Sequence, residues 1–299
     1  MTVIAVAPTP SRLTAWKMAL RIPTLTAAVA PVAVGTGVAI HDDAFRLLPA
    51  LAALFGALCL QAGANFANDV FDFERGADTE DRLGPPRATQ LGLLSPRQMK
   101  TGMWAAFSLA MAVGIYLVYV GGWPIVAVGL ASVVAAIIYT GGPWPIGYHA
   151  LGDVFTFVFF GLVAVVGTYY VQAGEVTSLA VAAAIPVGCT VTQILVVNNL
   201  RDIETDRRAG KRTLGVLLGD GGTRIWFVLL MLVAWAVPLA LYNLALAWLA
   251  VPLSMPFGLR LLRGIRGGAS GRALNPVLKA TARHHLVFGL LFAAALALS

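Results

Sequence analysis

Asn65, Asn68, Asp69 and Asp72, with Asp78 just beyond, crowd polar and acidic groups into one short stretch of a very apolar chain. Asn198, Asp202 and Asp206 repeat the pattern over a hundred residues later. An ionisable side chain near a membrane core costs ~2.5–3.5 kcal/mol on insertion scales, so two such groups imply a task. At ~100° per helical residue, the first four fall within an arc of about 100° and the second three within about 80°. Each set is therefore one polar stripe that can face a bundle interior. Carboxylate oxygens are the ligands a hard cation such as Mg²⁺ prefers, and the Asn amides add an oxygen or orient a carboxylate. Two opposed stripes would cage such cations, which in turn hold a polyanion such as a diphosphate. The plainer alternative is helix capping at a membrane surface, but a cap needs one Asp per helix end.

Cations flank both stripes. Arg82, Arg87, Lys211 and Arg212 can reach a phosphate bound between them, and Arg21 stands at the mouth of the first apolar run; Arg in particular suits bidentate phosphate contacts. Each also has a simpler explanation in membrane orientation. The uncharged run from Tyr139 to Tyr148, rich in Gly and Pro, reads as a bent connector that lines a cavity. Tyr139 and Tyr148 would present π faces there, suited to a cation, or else belong to an aromatic interface belt. Asp153 follows, as a helix-start cap or as a group that orients or deprotonates an acidic hydroxyl. His41, His284 and His285 lack metal-ligand spacing and read as loop or interface residues. Cys59 and Cys189 read as packing residues.

The elements that must position these groups are membrane helices. Of 299 residues 59% are hydrophobic and 12% charged, with mean hydropathy +0.81, which excludes a soluble domain and predicts an all-α, polytopic membrane bundle. Apolar runs at about 22–40, 47–68, 101–120, 123–141, 151–172, 178–200, 223–243, 244–261 and 284–299 give about nine helices. Lys and Arg gather before the first run and after the second, sixth and eighth, and none lies between Lys100 and Arg201. The positive-inside rule puts those segments and the N-terminus in the cytosol. Both Asp stripes then emerge on one cytosolic face. Residues 1–15 read as a cytosolic lead-in without a cleaved signal.

The motifs Asn65-x-x-Asn68-Asp69-x-x-Asp72 and Asp202-x-x-x-Asp206 resemble the UbiA superfamily of intramembrane aromatic prenyltransferases. Gly76-x-Asp78, Arg82-Leu83-Gly84-Pro85, Tyr139-Thr140-Gly141-Gly142-Pro143, Asn198-Asn199-Leu200-Arg201-Asp202 and Gly210-Lys211-Arg212-Thr213-Leu214 are similar to its 1,4-dihydroxy-2-naphthoate polyprenyltransferase branch, which serves menaquinone synthesis. Gly76 stands where hydroxybenzoate-type relatives often have a third Asp, and Gly-Gly-Pro follows Tyr139 where they often have a basic residue. Both departures disfavour the benzoate branch.

The resemblance implies one UbiA-like membrane domain over 1–299 in a bacterial inner membrane. It implies Mg²⁺ on Asp69, Asp72, Asp78, Asp202 and Asp206, and a polyprenyl diphosphate held with help from Arg21, Asn65, Asn68, Arg82, Arg87, Asn198, Lys211 and Arg212. Tyr139, Tyr148 and Asp153 would face the acceptor ring or the allylic cation. The implied reaction joins the prenyl chain to dihydroxynaphthoate with loss of CO₂ and diphosphate, giving demethylmenaquinone. Its implied partners are those two substrates and the bilayer, with no nucleic acid. Prenyl transfer to 4-hydroxybenzoate is the alternative acceptor. A CDP-alcohol phosphotransferase would carry one contiguous Asp motif. A cation- or proton-coupled transporter would place its acids near the bilayer midplane, not at helix ends beside basic loops.

Overall fold

In the computed structural model, residues 11–77, 82–241, 246 and 249–299 are described, and they are overwhelmingly helical. The order is α1 (Arg12–Leu20), α2 (Thr26–His41), α3 (Leu47–Glu74), α4 (Pro96–Gly121), α5 (Pro124–Ile138), α6 (Gly152–Thr156), α7 (Ala164–Ala173), α8 (Ser178–Arg208), α9 (Leu214–Ala240), α10 (Ala250–Arg266) and α11 (Asn275–Ala297). A π-helical turn, Phe157–Val163, joins α6 to α7 into one continuous rod. Seven of the described helical rods are long and apolar enough to cross a membrane, and α5 is a shorter apolar helix. With α10, at 17 residues, every one of the nine expected apolar runs has its helix.

The boundaries differ from the apolar runs for a physical reason. Backbone hydrogen bonding carries a helix past the point where its side chains turn polar. α3 therefore runs on to Glu74 and α8 to Arg208, and α11 begins at Asn275, nine residues before its apolar run. The 31 residues of α8 span ~46 Å at 1.5 Å per residue, well beyond the ~30 Å hydrocarbon core. The Asp-bearing turns are the parts that overshoot. His284 and His285 consequently lie inside α11, 1% and 0% exposed, and are core residues, not the loop or interface residues expected. The expected lead-in is also partly structured: Ser11 caps α1 by accepting from the Thr14 N–H at 3.2 Å, and Ala15 and Ala19 are buried.

α8 is the central post, packed by α2, α7, α9 and α11. Close approach depends on small residues, as in membrane bundles generally. Gly161 of the π turn lies against Gly188 of α8, where a Cβ would fall 2.6 Å from the Gly188 Cα. Large apolar side chains such as Trp104, Leu109 and Tyr119 of α4 are exposed instead, as a lipid-facing surface allows. The buried apolar residues form two clusters. A smaller one joins α1, α3 and α4 around Phe66, Met99, Met103 and Phe107. A larger one joins α2 and α7–α11 around Val187, Phe227, Met231, Phe288 and Phe292. Helices from both clusters wall a single large cavity.

Candidate active site

That cavity, about 1390 Å³, has an ionic end and an apolar body. Asp69 and Asp72 of α3 and Asp202 and Asp206 of α8 line the ionic end together, with Arg21, Asn65, Asn68, Arg82, Arg87, Tyr139, Tyr148, Asn198 and Lys211. The two stripes, over a hundred residues apart in sequence, thus share one chamber. The body is walled by Met111, Ile115 and Val118 of α4, Val126 and Leu130 of α5, and Phe155, Phe159, Phe160 and Val163 of the α6–α7 rod. Several of these wall residues, including Met111, Ile115, Val126 and Leu130, are themselves exposed, so this side of the groove is open.

Asp72 is the most heavily partnered acid. It forms ion pairs with Arg87 at 2.8 Å and Lys211 at 3.4 Å, and accepts the Tyr148 hydroxyl at 2.8 Å. The Lys211 ammonium also lies 4.5 Å from the centre of the Tyr148 ring. Asp69, 2% exposed, accepts the backbone N–H groups of Ala88 and Thr89, both at 3.3 Å. It therefore holds the turn that carries Arg87, whose guanidinium also donates to the Asn68 carbonyl. Asn65 donates to the Leu20 carbonyl at 2.9 Å and to Thr24 Oγ1 at 2.8 Å. Those bonds brace the α1–α2 corner, where Arg21 sits in the left-handed region at φ 50°. Arg21 stands within electrostatic range of Arg87, Arg82, Arg201 and Asp69. Asn68 accepts from Thr140 at 3.0 Å.

Burial and the neighbouring Asp72 push the Tyr148 hydroxyl well above the ordinary phenol range. Burial, with Asp153, Asp72 and Asp206 nearby, does the same to Tyr139. Both are neutral phenols at physiological pH.

Three expected residues lie elsewhere. Asp153 is 4% exposed but does not line the cavity; one carboxylate oxygen accepts the Trp226 indole N–H of α9 at 2.8 Å. Because α6 starts at Gly152, its first turn sets Asp153 towards α9, behind Tyr139. Arg212 is exposed and absent from the lining. The chain turns at Gly210, φ 73°, and only the Arg212 backbone takes part, donating to the Tyr148 carbonyl at 2.9 Å. Asp78 lies outside the described residues.

Sequence reasoning also missed participants. Arg201, 3% exposed, grips both oxygens of Asp202, at 2.7 and 2.5 Å, and donates to Asn198 at 2.8 Å. Its place between two motif residues was a signal, but it read as one more inner-face cation. Arg75 donates to the carbonyls of Thr140 and Gly142 and pins the Tyr139–Tyr148 loop. Nothing local in sequence links Arg75 to that loop.

The donor set suits a hard divalent cation in a particular way. Among the described residues no three His, Cys, Asp or Glu side chains gather into a ready metal cluster. Asp206 does lie within electrostatic range of Asp202, Asp72 and Lys211. Mg²⁺ is ordinarily held by one or two carboxylates plus substrate phosphates and water. Carboxylates in ones and twos around a cation-rich chamber fit that requirement.

Comparison with known proteins agrees with this geometry. Residues 28–276 match the model of the UbiA prenyltransferase family. The chain is 42% identical over 283 residues to 1,4-dihydroxy-2-naphthoate octaprenyltransferase of Mycobacterium tuberculosis, covering 94% of this chain and 96% of that one. Among solved structures, an apo UbiA homolog from Aeropyrum pernix K1 superposes with TM-score 0.71 at 18% identity, covering 89% of this chain and 96% of the other. A UbiA homolog from Archaeoglobus fulgidus, bound to GPP and Mg²⁺, gives 0.66 at 17% identity over 93% and 99%. The chain belongs to the UbiA prenyltransferase family, and is an integral membrane protein of the all-α UbiA fold.

Proposed function

We propose that this protein transfers a polyprenyl chain from its diphosphate to 1,4-dihydroxy-2-naphthoate, with Mg²⁺ as cofactor and release of CO₂ and diphosphate, within one membrane domain spanning 1–299. The observation that carries the reaction type is the shared chamber, in which four carboxylates and four flanking cations, Arg21, Arg82, Arg87 and Lys211, close one end of a long apolar groove. A prenyl diphosphate has the same division into polyanion and hydrocarbon. The choice of acceptor rests on the 42% identity to the M. tuberculosis enzyme named for that substrate.

Asp69, Asp72, Asp202 and Asp206 would hold Mg²⁺, which would supply neutralisation of the diphosphate and of its developing charge. Arg87 and Lys211, already neutralising Asp72, are placed to transfer part of their hydrogen bonding to phosphate oxygens. As the allylic C–O bond breaks, its electron pair leaves with the diphosphate, where preset cations supply the largest share of the stabilisation. Tyr139 and Tyr148, held neutral, offer ring faces to the allylic cation. A carbon of the electron-rich naphthoate ring forms the new C–C bond, and the carboxylate departs as CO₂. Asp153 acts through Trp226, whose indole N–H it accepts, without lining the chamber. The apolar groove excludes water and keeps the tail in contact with lipid. The protein is a multi-pass protein of a bacterial inner membrane, and the clustering of Lys and Arg in four segments supports a cytosolic N-terminus and a cytosolic ionic end of the chamber.

The test offers purified protein in nanodiscs dihydroxynaphthoate and 4-hydroxybenzoate in parallel, with octaprenyl diphosphate and Mg²⁺. Release of CO₂ and diphosphate with the naphthoate alone is expected. Turnover of the benzoate without CO₂ from the naphthoate would overturn the acceptor. Diphosphate release from neither would overturn the reaction.

A further inference from the structure

The loop 82–87 joins the two carboxylate sets, and its attachment at the far end lies outside both motifs. At one end Arg87 pairs with Asp72 at 2.8 Å. At the other, the Leu83 carbonyl accepts from Asn275 Nδ2 at 2.9 Å, while Asn275 Oδ1 accepts from Arg201 Nη1 at 3.0 Å. Arg201 in turn grips Asp202. A single amide at the first residue of α11 therefore couples the loop to the second motif. Two further features hold this junction. Arg272 donates to the Arg82 carbonyl at 3.5 Å, and Leu274, 0% exposed, anchors the turn before α11. The Arg201 guanidinium also lies against Gly84, where a Cβ would fall 2.8 Å from Nη2 and 3.0 Å from Cζ. Only glycine leaves that side of Arg201 open.

We infer that Asn275 and Arg201 are positioning residues that set, through the 82–87 loop, the separation of the two carboxylate sets across which a diphosphate must bind. Arg87 fixes the loop to Asp72, and the Asn275–Arg201 pair fixes it to Asp202. Neither residue needs to touch the prenyl tail or the acceptor ring. The assignment rests on the prenyl-transfer reading above and adds α11 to the elements that determine donor affinity.

The experiment measures binding of a non-reacting donor, geranyl S-thiolodiphosphate with Mg²⁺, to full-length protein in nanodiscs, beside steady-state kinetics. Asn275→Ala should weaken that binding and raise the donor KM by about tenfold, the loss of one or two hydrogen bonds to charged or buried partners, with the acceptor KM within about twofold. Asn275→Asp keeps the acceptor for Arg201 but loses the donor to Leu83, and should show the same one-sided defect. Gly84→Ala displaces the guanidinium, and combined with Asn275→Ala its effect should be less than multiplicative because both act through Arg201. Wild-type donor affinity in a folded Asn275→Ala protein overturns the inference. So does a parallel loss in donor KM, acceptor KM and melting temperature, or fully multiplicative effects. Should Asn275→Ala fail to fold, Gly84→Ala decides alone: unchanged donor affinity overturns it. A wild-type protein that binds no analogue at all removes the prenyl-transfer reading itself, an outcome distinct from variants that match a wild type that binds.

Discussion

Asp69 and Asp202 differ in their surroundings, one holding backbone N–H groups and the other held by Arg201, yet both line the same chamber. Asp69→Ala and Asp202→Ala are each expected to lower kcat/KM by at least ~100-fold, as loss of preorganised charge does at comparable sites, while insertion into membranes is retained. Near-normal turnover in either variant would remove the carboxylate cage. Tyr148 contributes a hydroxyl to Asp72 and a ring beneath Lys211. Tyr148→Phe keeps the ring and should cost about tenfold in kcat/KM, the worth of one hydrogen bond to a charged group; Tyr148→Leu should cost more. Because burial and Asp72 raise this phenol above its unfolded value, its contribution to stability is intact below the unfolded pKa and is lost as pH rises through the folded one. The melting temperature should therefore hold up to about pH 10 and fall beyond it, and that fall should shrink in Tyr148→Phe.

Helices position these residues by packing, and packing here depends on the absence of side chains. Gly161 and Gly188 bring the α6–α7 rod onto α8: a Cβ on Gly161 would meet the backbone of Gly188 and Ala184, and one on Gly188 the ring of Phe157. Backbone cannot swing aside as a flexible side chain can. Gly161→Leu should separate the two helices and cost ~1–3 kcal/mol or more, the range for overpacking a close-packed core, read as a lower melting temperature in detergent. Arg75 illustrates what periodicity cannot supply. It reads as an inner-face cation after α3, yet it fastens the Tyr139–Tyr148 loop through two carbonyls. Asp153 illustrates the reverse: it read as a helix-start cap or as a group acting on an acidic hydroxyl, and the start of α6 at Gly152 turned it towards Trp226.

For the whole molecule, charge and hydropathy act together. Large apolar side chains both cover the outside and fill the two buried clusters, and the ionic end of the chamber is formed at the polar C-terminal turns of α3 and α8. Single cysteines placed at Arg208 and at Asp43, in a background with Cys59 and Cys189 replaced, test the orientation. A membrane-impermeant thiol reagent added outside sealed cells should label only position 43. Labelling at 208 would reverse the topology.

Hydropathy and spacing alone determined the class of protein, its nine helical runs and the two acidic stripes, because the membrane enforces both helix length and the cost of charge. They also brought the UbiA resemblance into view, since four Asp and three Asn at fixed helical offsets form a pattern few other proteins share. Tertiary structure decided what spacing cannot encode. It set which carboxylate each cation neutralises, excluded Arg212 and Asp153 from the cavity wall, and placed Asn275 beside Leu83 and Arg201. The contacts of Lys211 with Asp72 and of Asn275 with Leu83 and Arg201 join segments over sixty residues apart, fixed by where helices cross and how close glycine lets them come, and no local periodicity carries that information.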